Sequence, residues 1–221
     1  LIPLNTKDAT LLEKIDKFIK SNNLKYLHDS VLPRTTFGID SDFVERNPKL
    51  VRPYEQNKFD KNKEIKLLTN DKAGKAGRAV WFVSKRSVIK KDTDLIDEWQ
   101  VVVSSANAGG QKRDNQIDII DNFSAFGRSR VALRSFKTKT EAENFYKYCN
   151  SKIIRYTFLM TEESLSSLAK RVPDFLNYSN QNSFIDFNLN VDEQLAQLFK
   201  FSKTEYNWIV QVIDELDAKR N

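Results

Sequence analysis

Arg130-Val131-Ala132-Leu133-Arg134-Ser135-Phe136 runs directly into Lys137-Thr138-Lys139-Thr140-Glu141-Ala142-Glu143-Asn144-Phe145, and between the two the chain changes period. The first run is rich in residues that suit a half-buried strand. The second opens on Thr140 with Glu143, the spacing of a capping box, and Ala142, Phe145, Tyr148, Cys149, Ile153 and Tyr156 then carry a helical stripe towards Met160. Upstream of this switch lie four more β-like runs, Glu64–Leu68, Arg78–Ser84, Trp99–Ser104 and Ile117–Ile120. Five of the six glycines fall between the runs, at Gly74, Gly77, Gly109, Gly110 and Gly127, where turns need them.

Working outward, Leu11, Leu12, Ile15, Phe18 and Ile19 form one stripe of an N-terminal helix that starts at Thr6 or at a Thr10–Glu13 capping box and stops at Ser21-Asn22-Asn23. Residues 31–63 hold Pro33, Pro48 and Pro53 with little periodicity, so extended, irregular chain is expected there. Beyond the switch, helices are expected over Glu162–Lys170, Asp192–Phe199 and a final stretch opened by a Ser202–Glu205 capping box. Helix, then strands, then helices argues for an α+β fold: a mixed, twisted sheet with flanking helices and a helical C-terminal part. The corresponding division is an N-terminal connector (1–30), a strand-rich core (31–160) and a C-terminal helical subdomain (161–221).

The 221 residues are 40% hydrophobic and 11% aromatic, enough to build a packed core despite 30% charged residues. No apolar run approaches the ~20 residues of a membrane span, and Lys7-Asp8 ends the apolar start too soon for a signal peptide. A single cysteine excludes an internal disulfide and fits a reducing cytoplasm, and one Cys with one His argues against a zinc site. The chain starts at Leu1 and its one methionine is Met160, so it is read as a piece of a longer polypeptide.

The formal charge of +6 is unevenly distributed. Residues 61–91 carry ten cations against Glu64 and Asp71, a net +8, which leaves −2 for the rest. A concentrated cationic surface attracts a polyanion; Lys on exposed strand edges, where it blocks aggregation, is the plainer reading. Within the basic segment the candidate DNA contacts are Lys72, Lys75, Arg78, Lys85 and Arg86. Two loops add Asn107, Gln111, Lys112 and Arg113 after or around the Gly109-Gly110 pair, and Arg128 and Arg130 after Gly127. Arg suits guanine and Asn or Gln suits adenine through paired hydrogen bonds.

Catalytic motifs are sparse. Gly74-Lys75-Ala76-Gly77 is too short for a P-loop, and it leads into a strand where the KH-type clamp needs a helix, so it reads as a hairpin loop. Glu64-Ile65-Lys66, with Asp42 or Asp60 upstream, has the spacing of a Mg²⁺-dependent nuclease, a common pattern in a Lys-rich chain. His28 stands alone past the first helix, and Cys149 sits among helix aromatics as a small core residue. Asn47-Pro48-Lys49 lacks the second proline and aromatic of an adenine-methylation loop.

Several stretches, in order, resemble the C-terminal target-recognition region of bacterial adenine-specific DNA methyltransferases, including restriction–modification enzymes of the type IIG class. Thr36-Phe37-Gly38 and Phe43 match the core of that family's opening segment. Phe136 through Glu141-Ala142-Glu143-Asn144 resembles its next element, and Ser151-Lys152-Ile153-Ile154-Arg155-Tyr156 its Lys-x-x-Arg helix. Asp186-Phe187, Asp192-Glu193 with Leu195, and the 202–213 helix resemble its closing pattern. The match covers roughly residues 31–215, without the family's Thr-Gln after the Lys-x-x-Arg helix. The resemblance implies a non-catalytic module that binds double-stranded DNA. A catalytic methyltransferase domain of the same polypeptide would use S-adenosylmethionine, with Mg²⁺ if it also cleaves. Lys152 and Arg155, three apart on one helical face, would then meet phosphate or pair with acids such as Glu162. A Mg²⁺ nuclease on Glu64 and Lys66, and a protein-interaction module with incidental charge, are the alternatives.

Overall fold

In a computed structural model, which describes residues 5–105, 117–160, 168–182 and 184–219, the chain has the α+β fold its pattern implies. Its order is α1 (Thr6–Ser21), β1 (Lys25–Tyr26), α2 (Phe43–Arg46), β2 (Val51–Pro53), β3 (Glu64–Asn70), β4 (Ala79–Lys85), β5 (Trp99–Ser104), β6 (Asp118–Ile120), β7 (Ser124–Phe126) and β8 (Arg130–Phe136). Then follow α3 (Lys139–Asn150), α4 (Lys152–Leu159), β9 (Pro173–Asp174), α5 (Val191–Leu198) and α6 (Lys203–Ala218). The strands form three sheets where one was expected: a mixed sheet β2-β4-β3-β7, an antiparallel sheet β6-β5-β8 and a β1–β9 ribbon.

The antiparallel sheet separates two hydrophobic cores. Val101, Val103, Val131, Leu133 and Phe136 face a large core built with α1, α3, α4, α5 and α6. Val102, Ile120 and Ala132 face a smaller core with Leu67, Phe82 and Phe126 of the mixed sheet. Both faces are therefore apolar, which is why Val101, Val102 and Val103 run consecutively with no exposure. A bulge sits on β8: Val101 pairs with Arg134 and Val102 with Ala132, so Leu133 is the extra residue. It lets Leu133 and Arg134, adjacent in sequence, both serve the helical side.

Arg134 needs that direction because its partner is there. Asp174 of β9 has no exposure, and both its oxygens lie 2.5 Å from Arg134 Nη1. Tyr178 Oη (2.9 Å), Ser30 Oγ (3.0 Å) and the Leu176 amide (2.8 Å) also donate to this carboxylate. Every lone-pair direction is used, the condition under which a buried charge is tolerable.

The helices start where side chains can cap them. Asn5 and Asp8 form the capping box of α1, so the helix begins at Thr6 and Thr10 lies inside it. Thr138, two residues before the expected Thr140, caps α3. The Ser202–Glu205 box opens α6 as expected. The single stripe expected through Met160 is broken at Ser151, whose extended backbone (φ −64°, ψ 151°) ends α3 and caps α4. Asp192 then accepts from the Lys152 and Ile153 amides (3.0 and 2.9 Å), so the first turn of α5 caps α4. Most of the expected Glu162–Lys170 helix lies outside the described residues; Leu168–Lys170 form a turn. α1 belongs to the same core as α5 and α6: buried Asp8 accepts from Tyr156 Oη and from Trp208 Nε1 (3.3 Å). Among the described residues no helix is long and apolar enough to cross a membrane.

Candidate nucleic-acid interface

The basic segment folds into the β3–β4 hairpin and the chain just beyond it. Full pairing from Glu64↔Lys85 to Asn70↔Ala79 fixes the hairpin, and Phe82 and Leu67, opposite each other, anchor it in the smaller core. At its tip the Asp71 amide donates to Arg78 O (2.9 Å) and the Arg78 amide to Asp71 Oδ1 (2.8 Å). The Arg78 amide bond, aided by Lys72, holds the Asp71 carboxyl below the usual carboxylate range. Gly74 takes a left-handed backbone (φ +78°), and a Cβ on Gly77 would lie 2.0 Å from Lys72 O. The Ala73 amide reaches Glu45 Oε2 (3.2 Å), tying the tip to α2. It is a hairpin turn, as its lead into β4 suggests, rather than a phosphate clamp opening a helix.

On this tip Lys72, Lys75 and Arg78 are exposed, and among the described residues none has a carboxylate within ion-pair distance. Lys85 is also exposed and without such a pair, but it sits opposite Glu64 at the far end of the hairpin, some seven residues or about 20 Å along the strand. These free cations of the basic segment are therefore divided between the two ends of the hairpin.

Other candidates are already engaged. Arg86 makes two hydrogen bonds to Asp97 (2.6 and 2.7 Å), which hold the Asp97 carboxyl low, and one to Thr93 O (3.1 Å). Arg128 Nε lies 2.8 Å from Asp40 Oδ1. Lys152 pairs with Asp214 (2.6 Å) and Arg155 with Asp217 (2.5 and 3.0 Å), both acids of α6, while Glu162 lies outside the described residues. Arg130 is half-buried at the start of β8 and has no carboxylate in contact among the described residues. Asn107, Gln111, Lys112 and Arg113 lie outside the described residues. Ser105, just before them, donates to Ser129 O (2.9 Å), beside the Gly127–Arg130 turn.

That turn shares an end of the molecule with the hairpin tip. The Gly127 amide donates to Leu68 O, near the tip end of β3, and a Cβ at Gly127 would press on Thr69 Oγ1 at 2.4 Å. The Arg128 amide donates to Ile39 O, so the 36–40 segment closes the same end. Thr36 and Phe37, which carry the family resemblance, are buried, and Phe37 packs edge-on against Phe126 at 5.0 Å. Asn144 is likewise structural, donating to Tyr178 O and Asn180 Oδ1.

The Glu64-x-Lys66 pair is divided between two partners. Glu64 takes Arg52 Nη2 (2.8 and 3.0 Å) and the Asp60 amide (3.0 Å). Lys66 bonds Asp121 and lies against the Tyr54 and Trp81 rings (5.4 and 5.3 Å). Among the described residues no three His, Cys, Asp or Glu side chains are grouped to hold a metal. His28 Nδ1 donates to Leu168 O (2.7 Å) in a boundary position, and burial pushes the Cys149 thiol up. The acids that engage Arg86, Arg128, Lys152 and Arg155 left no sequence signal, since three of the four pairs are separated by more than 60 residues.

Comparison with known proteins finds no matching family model and no matching curated protein.

Proposed function

We propose that the chain binds double-stranded DNA, as the target-recognition module of a restriction–modification adenine methyltransferase whose catalytic domain, using S-adenosylmethionine, belongs to the same polypeptide. The module itself supplies no chemistry. The observation that carries the binding reading is the hydrogen-bonded β3–β4 tip, which offers Lys72, Lys75 and Arg78 with no acid paired to them among the described residues. A hairpin or ribbon is narrow enough to enter the major groove, where cations position phosphates and Arg reads guanine. The family assignment rests on the ordered sequence resemblance. Cytoplasmic location is part of the same reading.

Fluorescence anisotropy with a labelled duplex at low salt tests it. Lys75→Glu is expected to weaken binding about tenfold or more, whereas Lys20→Glu, at an exposed position near the end of α1, leaves it unchanged. Equal effects of the two changes would reduce the tip to incidental charge. Plasmid nicking with Mg²⁺ that Glu64→Ala abolishes would replace the binding-only reading with a nuclease.

A further inference from the structure

In Arg128-Ser129-Arg130 a cation and a neighbouring hydroxyl, Arg130 and Ser129, are drawn inward without matching acceptors among the described residues. Arg130 Nε and Ser129 Oγ are both shielded from solvent and, among the described residues, neither has a hydrogen-bond partner. The single hydrogen bond of the Arg130 guanidinium among the described residues is from Nη1 to the neighbouring Ser129 O at 3.2 Å. By register Arg130, opposite Ser104, lies on the same face of the antiparallel sheet as Ala132, Val102 and Asp118. That face looks into the gap between the two sheets, where Val102 and Ala132 join the smaller core. Burial disfavours the Arg130 charge, and Asp118 offsets it only at a distance, with no ion pair formed. Arg128 beside it is turned to Asp40.

A cation partly taken from water without a counter-charge weakens the fold, and a buried donor without an acceptor adds to that cost. Arg134, four residues on, shows the contrasting arrangement: a half-buried Arg with a fully buried carboxylate partner. The geometry points to Arg130, with Ser129 Oγ, as the holder of one tetrahedral oxyanion of the phosphate class. This inference rests on the DNA reading for the identity of that anion, a backbone phosphate of the bound duplex. The turn lies at the same end of the sheets as the hairpin tip, so a duplex engaged by Lys72, Lys75 and Arg78 would present phosphates to it.

The test compares thermal unfolding of the full chain in inorganic phosphate and in chloride at matched ionic strength. Wild-type protein is expected to gain several degrees in phosphate, as a ligand that binds only the folded state requires, roughly RT ln(1 + [L]/Kd). Arg130→Gln is expected to abolish that gain and to melt higher than wild type in chloride, because the uncompensated charge is gone. Arg130→Lys, which retains charge without the planar fork, should keep part of the gain. Duplex affinity of Arg130→Gln should fall about tenfold with a salt slope shallower by about one. An Arg130-dependent phosphate gain without duplex binding would uphold the oxyanion site and overturn the DNA reading. Duplex binding that ignores Arg130→Gln, with no phosphate gain, would overturn the site and leave the DNA reading standing.

Discussion

Gly77 allows no other side chain without moving backbone, since the nearest atom to its added Cβ is the Lys72 carbonyl at 2.0 Å. Gly77→Ala is therefore expected to destabilise the tip by about 1–3 kcal/mol of local strain and to weaken duplex binding, while the smaller core stays intact. Amide exchange at Asp71 and Arg78 measures the first effect; unchanged exchange there would contradict it. Asp174 and Arg134 are the opposite kind of pair, a buried carboxylate satisfied by a half-buried guanidinium. Arg134→Met strands the Asp174 carboxylate and should cost about 3–5 kcal/mol in denaturant unfolding, with Asp174→Asn on the same background recovering part of it. A loss below that of an ordinary surface substitution would show that the carboxylate has another partner. The importance of Arg134 was illegible in sequence: alternation from Val131 would send it to the face of the smaller core, with Ala132, and only the bulge at Leu133 turns it to β9.

At the level of elements, periodicity reveals what packing enforces and misses what a few side chains impose. Trp99–Ser104 and Arg130–Phe136 have the boundaries their β-branched and aromatic content suggests. Val51–Pro53 and Ser124–Phe126 escape such reading because three-residue strands carry no period, and Pro53 is tolerated where β2 is an edge. The α3–α4 stripe is continuous in sequence, yet Ser151 and Asp192 break it. Of the candidate site, the tip cations were legible from charge density and glycine spacing, whereas the acids that engage Arg128, Lys152 and Arg155 come from distant segments. α4 and α6 are joined by those last two pairs. Lys152→Ala and Arg155→Ala are expected to cost at most about 1 kcal/mol each, as partly exposed ion pairs do, and to leave duplex affinity unchanged. A drop in affinity for either variant with unaltered stability would return these cations to the interface.

The whole molecule places a helical body on one side of a shared antiparallel sheet and a small hairpin-bearing unit on the other. Because Val101, Val102 and Val103 serve both cores in turn, the two halves are expected to unfold in one transition, with far- and near-ultraviolet dichroism coincident during denaturation. Two separated transitions would show that the sheet does not couple them. The central claim is that the β3–β4 tip is the DNA-contacting end, and the salt dependence of duplex affinity tests it most directly. Wild-type affinity should fall steeply with salt, and the Lys72→Ala/Lys75→Ala/Arg78→Ala variant should lose roughly three units of log–log slope, close to 0.9 for each phosphate contact removed. Absence of duplex binding at low salt, or a slope that the triple variant leaves intact, would contradict the account.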